Sequence, residues 1–386
     1  MKKLFFVLTF SLQYLALSAQ KIENLYDENP GPFQTDTITT FEFYTDEDFN
    51  PLLLFPKASD QNYTMGLGFG FSSLKFKSWF VFKPITTLDN LIIGKKITRG
   101  FSTTELAPSI SINGAAFTPD SLRAVDPVPN DRPYAFLLAL STKRGYIDND
   151  RDIVYKTELN IGAFGLDIGK WVQTGIHKSM NDNNTKNPYN PEGWHNQIGK
   201  GFAPTFLYAL GIDKLIESQS INARSNRSYF DMKLGGAGSM GYYTQLQAAA
   251  SFRFGLLDSR NWVRDFNPLG NMNKGLGRKN RNLLASQSQK QQFEIYMFAA
   301  GRPTFMAYNA MLNGTILGNS IHTLSWKETR HFIMEWNTGI ATHIPLNDRN
   351  CALDVSWIIN AGRTSEINTD LARAHYWGGI YLAASW

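Results

Sequence analysis

The most constraining feature of this chain is a series of short segments in which apolar residues alternate with small or polar ones. Leu67, Phe69 and Phe71, for example, alternate with glycines. The same period of two recurs near residues 153–161, 205–213, 229–234 and 331–340. Successive side chains of a strand point to opposite faces, so each segment has one apolar and one polar face. Such runs of roughly ten residues are typical of strands with lipid on one side and a polar lumen on the other. A soluble β-sandwich explains the alternation equally well.

The first residues have the order of a secretory signal. Two lysines precede an apolar run over 4–17, and two small residues follow it. The run is too short for a comfortable membrane span. No cysteine follows the small residues, so a lipid anchor is not expected. We predict a signal peptide over 1–19 and a single domain over 20–386.

Composition narrows the choice of fold. Cys351 is the only cysteine, so an exported chain of this kind has no intrachain disulfide framework. The net charge of +5 is too small to indicate a nucleic-acid partner. After the signal, no segment reaches the roughly 18 apolar residues of a membrane helix. An all-β soluble protein or an outer-membrane barrel remains, and an aromatic content of 13% favours the barrel.

The last residues alternate too, and they end on an aromatic residue, Trp386. This ending resembles the assembly signal of outer-membrane barrels, so we predict the barrel assembly machinery as a partner. The predicted fold is all-β, a transmembrane antiparallel up-and-down β-barrel of about twelve strands. We expect it to lie in the outer membrane of a Gram-negative bacterium as a monomer. The predicted strands lie near 37–45, 63–75, 79–94, 133–143, 152–163, 204–214, 228–237, 241–254, 292–308, 329–344, 350–362 and 374–386.

The strand order predicts which connections meet at the outer rim. With both chain ends in the periplasm, the long connections 46–62, 95–132 and 164–203 lie outside. A basic segment, 255–291, then falls at the inner rim. Two interpretations of this segment stay open: a solvated loop, or a loop that contacts anionic head groups. Asn130, Asp131 and Arg132 also reach the outer rim, and we assign them to rim structure.

Three polar groups at the outer rim are candidates for chemistry. They are the acidic run that begins with Asp46 and Glu47, the hydroxyl of Thr64 at the start of strand two, and the pair Gln173 and His177. By alternation, Thr64 shares the lumen-facing side of the glycines that follow it. The acidic run is explained equally well by a solvated loop, and Thr64 by an ordinary strand residue without a catalytic role.

These residue types suit the hydrolysis of an ester. Gln173 and His177 stand four apart, so on a helical turn they share one face, and Gln173 could orient the imidazole or a substrate group. His177 has a side chain suited to proton transfer near neutral pH. Carboxylate and hydroxyl oxygens suit a hard cation such as calcium, which polarises a carbonyl while the histidine activates water. The chain has no Gly-x-Ser-x-Gly elbow.

Four motifs in this order resemble the outer-membrane lipid A 3'-O-deacylases, and the resemblance covers most of the mature chain. The motifs are the acidic run after the first strand, Asp60-Gln-Asn-Tyr-Thr-Met-Gly66, Asn130-Asp-Arg-Pro-Tyr-Ala135, and Ile161-Gly-Ala-Phe-Gly165 continuing through Gln173 and His177 to Gly193-Trp194 and Gln197. The resemblance implies a twelve-stranded barrel with its active site at the outer-leaflet end. It also implies calcium-dependent removal of the 3'-linked acyl chains of lipid A, so lipopolysaccharide is the expected substrate.

The resemblance also implies roles for individual residues. His177 matches the family's catalytic histidine, the general base on water, and Thr64 matches an active-site hydroxyl residue. The family's Asn-Asp pair corresponds to Asp46-Glu47 here, or to Thr45-Asp46 if shifted by one, so the asparagine is absent. Asp182 is the nearest candidate for a further carboxylate at the metal. The expected site is therefore His177, Thr64 and Gln173 for catalysis, with Asp46, Glu47 and Asp182 for calcium.

Two functions without ester hydrolysis stay open. The protein could be a pore or transporter for an apolar solute, with His177 in a loop beside it. It could also be a structural or adhesive barrel. Release of fatty acid from lipid A distinguishes the enzyme from both.

Overall fold

A computed structural model describes residues 39–47, 62–100, 103–181, 191–221, 227–263, 292–346 and 351–386. They form a closed barrel of twelve antiparallel strands, which confirms the predicted fold class. The barrel closes between its first and last strands, where the backbones of Thr39 and Trp386 bond to each other in both directions.

The strands are β1 (Thr39–Glu47), β2 (Asn62–Ser73), β3 (Thr103–Glu105), β4 (Ser109–Thr118), β5 (Ala135–Asp148), β6 (Ile153–Phe164), β7 (Ala203–Ser220), β8 (Arg227–Gly241), β9 (Tyr243–Asp258), β10 (Glu294–Asn309), β11 (Phe332–Pro345), β12 (Ala352–Arg363) and β13 (His375–Ser385). The short β3 pairs with β5 beside β4 and is not counted among the twelve. The α-helices are α1 (Lys83–Asp89), α2 (Lys95–Thr98), α3 (Ile168–Asn181) and α4 (Ala310–Asn313). A π-helical turn covers Asn90–Gly94, and 3-10 turns cover Leu74–Ser78, Phe80–Phe82, Gly193–Asn196, Ser259–Asn261 and Trp326–Glu328. None of the helices in the described ranges is long and apolar enough to cross a membrane.

One predicted strand is wrong, and one strand was missed. Residues 79–94 are helical, because their buried residues Phe82, Ile85 and Asp89 recur every three to four positions and Pro84 opens α1. The strand in that place is β4, which lies within the predicted outer connection 95–132. Its sequence, Ser-Ile-Ser-Ile-Asn-Gly-Ala-Ala-Phe-Thr, is small and polar, so its alternation is weak. The two errors cancel in the strand count.

The two ends of the barrel differ. The inner end holds the start of β1, the end of β13 and the short turn 149–152 between β5 and β6. The outer end holds the connections 119–134 and 165–202, the second of which contains α3. Short turns on the periplasmic side are usual for bacterial barrels.

The strands turn apolar residues outward and polar residues inward, as their alternation predicts. On β2, Leu67, Phe69 and Phe71 are exposed. On β6, Ile161 is exposed while Glu158 and Asn160 on the opposite face are buried. This is the distribution expected of strands with lipid outside.

Packed side chains fill much of the lumen. One buried cluster joins aromatic residues from around the barrel, among them Tyr63, Phe117, Phe164, Tyr242, Tyr296 and Trp377. Polar bonds cross the interior beside it: Tyr44 donates to Asn113, and Asn160 donates to Tyr242. The interior of the described barrel is therefore a core rather than an open channel.

Outer connections meet around Asp131 and Arg132. The Asp131 carboxylate accepts from the Asp120 amide at 2.7 Å and pairs with Arg373 at 2.9 Å. The backbone oxygen of Asp131 lies 2.8 Å from Nε2 of His322. These contacts join three outer connections, which confirms the rim role predicted for this motif.

Several predictions concern residues outside the described ranges. They are the signal peptide, the carboxylate of Asp182 and residues 264–291 of the basic segment. The extent of the single domain also stays a prediction.

Candidate functional site

Helix α3 begins where β6 ends, and a glycine makes the turn between them possible. Gly165 has a φ of +81°, and a Cβ there would lie 1.7 Å from the backbone oxygen of Gly199. Only glycine tolerates both this conformation and this close approach. The sharp turn directs the chain from β6 into α3, which contains Gln173 and His177. The predicted helical turn is confirmed as part of a longer helix.

Helix α3 lies against the outside of the barrel wall. Met65, Ala116 and Phe136 continue the outward-facing side of β2, β4 and β5, yet they are buried. Leu122, Tyr134 and Trp194 cover them, and Leu166 and Ile168 pack alongside. We call this group of residues the outer-wall cluster.

The start of α3 fits closely against this cluster. A Cβ on Gly169 would come within 2.8 Å of the Phe136 side chain, so the helix backbone lies directly on the wall. Trp171 and Val172 on the same helix are exposed. The helix therefore joins the outer rim to the lipid-facing surface.

Gln173 is held by a tryptophan. The Trp194 indole Nε1 donates to Oε1 of Gln173 at 2.7 Å, and both side chains are buried. The Trp194 ring packs on Tyr134 with centroids 4.9 Å apart. An indole nitrogen only donates, so the bond fixes which end of the amide faces it. The Gln173 amide nitrogen is left buried with no bonding partner among the described residues.

Thr64 lies at an irregularity in β2. Between Tyr63 and Met65 the pairing with β4 slips by one residue, which is a β-bulge. Tyr63 consequently packs in the lumen, whereas Met65 belongs to the outer-wall cluster. The Thr64 hydroxyl lies 2.9 Å from the hydroxyl of Thr118. The simple alternation that grouped Thr64 with the glycines of β2 is interrupted at this bulge.

Asp46 and Glu47 occupy the end of β1, opposite Gly66 and Met65. The Asp46 carboxylate is buried and accepts a 2.5 Å bond from the Tyr63 hydroxyl. A Cβ on Gly66 would collide with both groups, so this glycine makes room for the contact. Asp46 thus packs beside a lumenal tyrosine, while Glu47 lies in register with a residue of the outer-wall cluster.

The structure brings three of the predicted positions to one place. Thr64 adjoins Met65, Glu47 lies opposite Met65, and Gln173 bonds to Trp194, all at the outer-wall cluster. His177 follows Gln173 by four residues on α3. The side chains of His177 and Glu47 lie outside the described part of the structure, so their roles stay predictions.

Comparisons with known proteins agree with this fold. The chain matches the model of the family described as outer membrane protein LpxR over residues 4–386. It belongs to the LpxR family. The solved LpxR from Salmonella typhimurium superimposes with a TM-score of 0.64 at 16% identity, covering 89% of this chain and 99% of that one. The resemblance found in the motifs is confirmed, and with it the outer-membrane location.

Other solved barrels are more distant from this LpxR-family chain. The β domain of the Bordetella autotransporter BrkA gives a TM-score of 0.37 at 8% identity, covering 90% of this chain and 98% of that one. The transport unit of the autotransporter AIDA-I from Escherichia coli gives a TM-score of 0.30 at 8% identity, covering 96% of this chain and 97% of that one. No curated protein matches the chain.

The sequence motifs contained partners whose roles we did not predict. Trp194 and Tyr63 stand within the LpxR-family motifs, but their bonds to Gln173 and Asp46 follow only from the fold. Thr118 belongs to the strand that was missed. In the described ranges, no three His, Cys, Asp or Glu side chains converge as a metal site would require. The calcium site therefore stays a prediction.

Proposed function

We propose that this protein is a calcium-dependent lipid A deacylase that hydrolyses the esters of 3'-linked acyl chains. One observation carries the proposal: the positions of Glu47, Thr64 and Gln173 meet at the outer-wall cluster, on the side of helix α3, which also carries the exposed Trp171 and Val172. A substrate that reaches this place comes from the membrane rather than through the lumen. Acyl chains can stay in lipid against the strands while the ester group reaches α3.

The reaction needs a base, and His177 is our candidate. Water attacks the ester carbonyl carbon while His177 accepts its proton. The bond between the carbonyl carbon and the sugar oxygen then breaks, and the same proton passes from His177 to the leaving sugar oxygen. The products are a free fatty acid and a lipid A with a 3'-hydroxyl.

Gln173 is our candidate for assisting at the carbonyl oxygen. The Gln173 amide oxygen accepts from Trp194, so the amide NH2 group faces away from the indole and has no other described acceptor. Donors that are fixed before the reaction stabilise a developing oxyanion without reorganisation. Trp194 acts here as a positioning residue.

The available side chains suit calcium rather than zinc. The carboxylates of Asp46, Glu47 and Asp182 are the oxygen ligands that we propose, of the kind that a hard cation prefers, and Asp46 would have to leave its bond with Tyr63 to join the other two. When bound, calcium would polarise the ester carbonyl.

Mass spectrometry tests the proposal. The purified, folded protein is incubated with lipid A, and both the shortened lipid and the released fatty acid are measured. We expect loss of the 3'-linked chains, inhibition by a chelator, and recovery with calcium but not with zinc. Full activity in excess chelator would remove the metal from the mechanism. Intact lipid A under all these conditions would overturn the enzyme proposal.

A further inference from the structure

A helical segment covers the outside of the barrel near its inner end, and the exposure of the strands reveals it. On neighbouring strands β5, β6 and β7, Leu140, Ile161 and Phe206 face outward and are 43%, 60% and 49% exposed. Arg144 and Thr157 continue the same outward side toward the inner end, and they are 5% and 1% exposed. Outward-facing side chains are buried only where something covers the wall from outside.

The cover is formed by residues 74–100, which we call the inner-rim segment. Phe82 and Ile85 are fully buried and pack against Leu159 on the outward side of β6. Arg144 bonds to Thr86 within α1. The segment therefore lies against the barrel wall.

A buried carboxylate fastens α1 to three strands. Asp89 accepts hydroxyl bonds from Tyr146 at 2.7 Å, Thr157 at 3.0 Å and Tyr208 at 3.0 Å. These donors belong to β5, β6 and β7 in turn. Asp89 is the only acidic residue of the inner-rim segment, and its charge is hidden against the wall.

The opposite side of the inner-rim segment combines apolar and basic residues. Phe80 and Leu91 are 77% and 79% exposed, and Trp79 and Ile92 are exposed beside them. Six basic residues of the segment are exposed or partly exposed: Lys75, Lys77, Lys83, Lys95, Lys96 and Arg99. Six cations and one anion give the segment a net charge of 6 − 1 = +5, equal to that of the whole chain.

Exposed aromatic and aliphatic residues mixed with lysines are typical of helices that lie in a membrane interface. The segment lies at the inner end of the barrel wall, so in a membrane its basic groups would come beside the phosphate layer of the inner leaflet. We propose that the inner-rim segment binds anionic phospholipid head groups of the inner leaflet. This binding is separate from lipid A hydrolysis and does not depend on it.

Lipid selectivity tests the proposal. The protein is refolded into phosphatidylcholine vesicles that contain spin-labelled phosphatidylglycerol or spin-labelled phosphatidylcholine, and electron spin resonance measures the immobilised fraction. We expect phosphatidylglycerol to be preferred by about fivefold or more, the scale of a basic residue near an anionic surface. Equal immobilisation of the two lipids would overturn the proposal.

Charge reversal identifies the surface responsible. The variant Lys83→Glu/Lys95→Glu/Lys96→Glu should lose the preference, whereas Lys200→Glu/Lys327→Glu/Arg330→Glu, in the outer connections, should keep it. Each variant is first shown to be folded by its heat-modifiable gel mobility. If the glutamates prevent folding, the glutamine variants at the same three positions replace them. A preference that persists without the three lysines would place the lipid site elsewhere and overturn the assignment.

A second copy of the chain is the competing occupant. In a Cys351→Ser background, Leu91→Cys carries a photoreactive probe that can couple to lipid or to protein. Coupling to phospholipid supports the proposal. Coupling mainly to another copy of the chain would show that the inner-rim segment is a protein interface instead.

Discussion

At the scale of single residues, His177 carries the step that the proposed reaction cannot do without. His177→Asn should lower the rate of lipid A deacylation by about 100-fold or more, the usual scale for a lost general base. The barrel should stay folded, because α3 lies outside the strand pairing. Lys170→Ala on the same helix is the control. Wild-type rates in a folded His177→Asn protein would show that the base lies elsewhere.

A substitution at Trp194 can distinguish its bond to Gln173 from its packing on Tyr134. Trp194→Phe keeps an aromatic ring on Tyr134 but removes the only described donor to the Gln173 oxygen. The amide can then rotate, so we expect kcat to fall about tenfold, part of the effect of losing an oxyanion donor. KM should change little. Trp171→Phe, at an exposed position of α3, is the matched control. A change confined to thermal stability would leave Trp194 with a structural role only.

At the scale of elements, the junction of the outer connections depends on a buried ion cluster. Glu366 contacts Arg363 at 2.6 Å and Arg132 at 3.4 Å. Burial opposes its ionisation, but the two guanidinium groups outweigh burial and hold the Glu366 pKa at about 2, below the ordinary 4.5. A depressed pKa means that ionised Glu366 stabilises the fold above about pH 4.5 and that this stability is lost as the pH falls toward 2.

At neutral pH, Glu366→Gln should therefore lower the free energy of unfolding by about 3 kcal/mol. The variant should unfold at a lower temperature than the wild type. The difference should shrink as the pH is lowered toward 2. The temperature at which the heat-modifiable band shifts on a gel, measured across pH, gives both quantities. Glu192→Gln, in an exposed outer connection, should match the wild type. A gap between Glu366→Gln and wild type that does not vary with pH would rule out ionisation of Glu366 as its cause.

A second prediction at the scale of elements concerns the pairing of β1 with β13, which closes the barrel. Deleting Trp386 removes backbone bonds of 2.9 and 3.0 Å to Thr39 and the aromatic terminus. We expect less folded protein in the outer-membrane fraction. Trp386→Phe keeps both features and should assemble normally. Equal assembly of the deletion would remove Trp386 from the assembly signal, and the role of the assembly machinery stays a prediction until then.

At the scale of the whole molecule, the packed interior distinguishes this barrel from a pore. Aromatic residues from around the barrel meet inside it, and bonds such as Asn160 to Tyr242 cross the space between them. We therefore expect no steady ion conductance when the protein is inserted into a planar bilayer. An open-channel current would contradict the packed lumen and favour the transport function. The expectation of a monomer also awaits a measurement of mass in detergent.

The sequence by itself determined the fold class and the faces of most strands, because a period of two is a local property of the chain. It also identified the family motifs and a helical turn over Gln173 and His177, which the structure extends to a longer helix. Two predictions from local patterns are wrong. Residues 79–94 are apolar enough for either a strand or a helix, and the residues of β4 are too small and polar to give a clear strand pattern.

Only the tertiary structure decided on which side of the wall Asp46 and Gln173 lie. The bulge at Thr64 turns Tyr63 inward toward Asp46, and alternation cannot reveal such a slip in register. The turn at Gly165 is followed by α3, which lies on the outer wall and whose Gln173 bonds to Trp194, twenty-one residues farther along. These contacts depend on pairing between distant segments, and no pattern within a single segment specifies them.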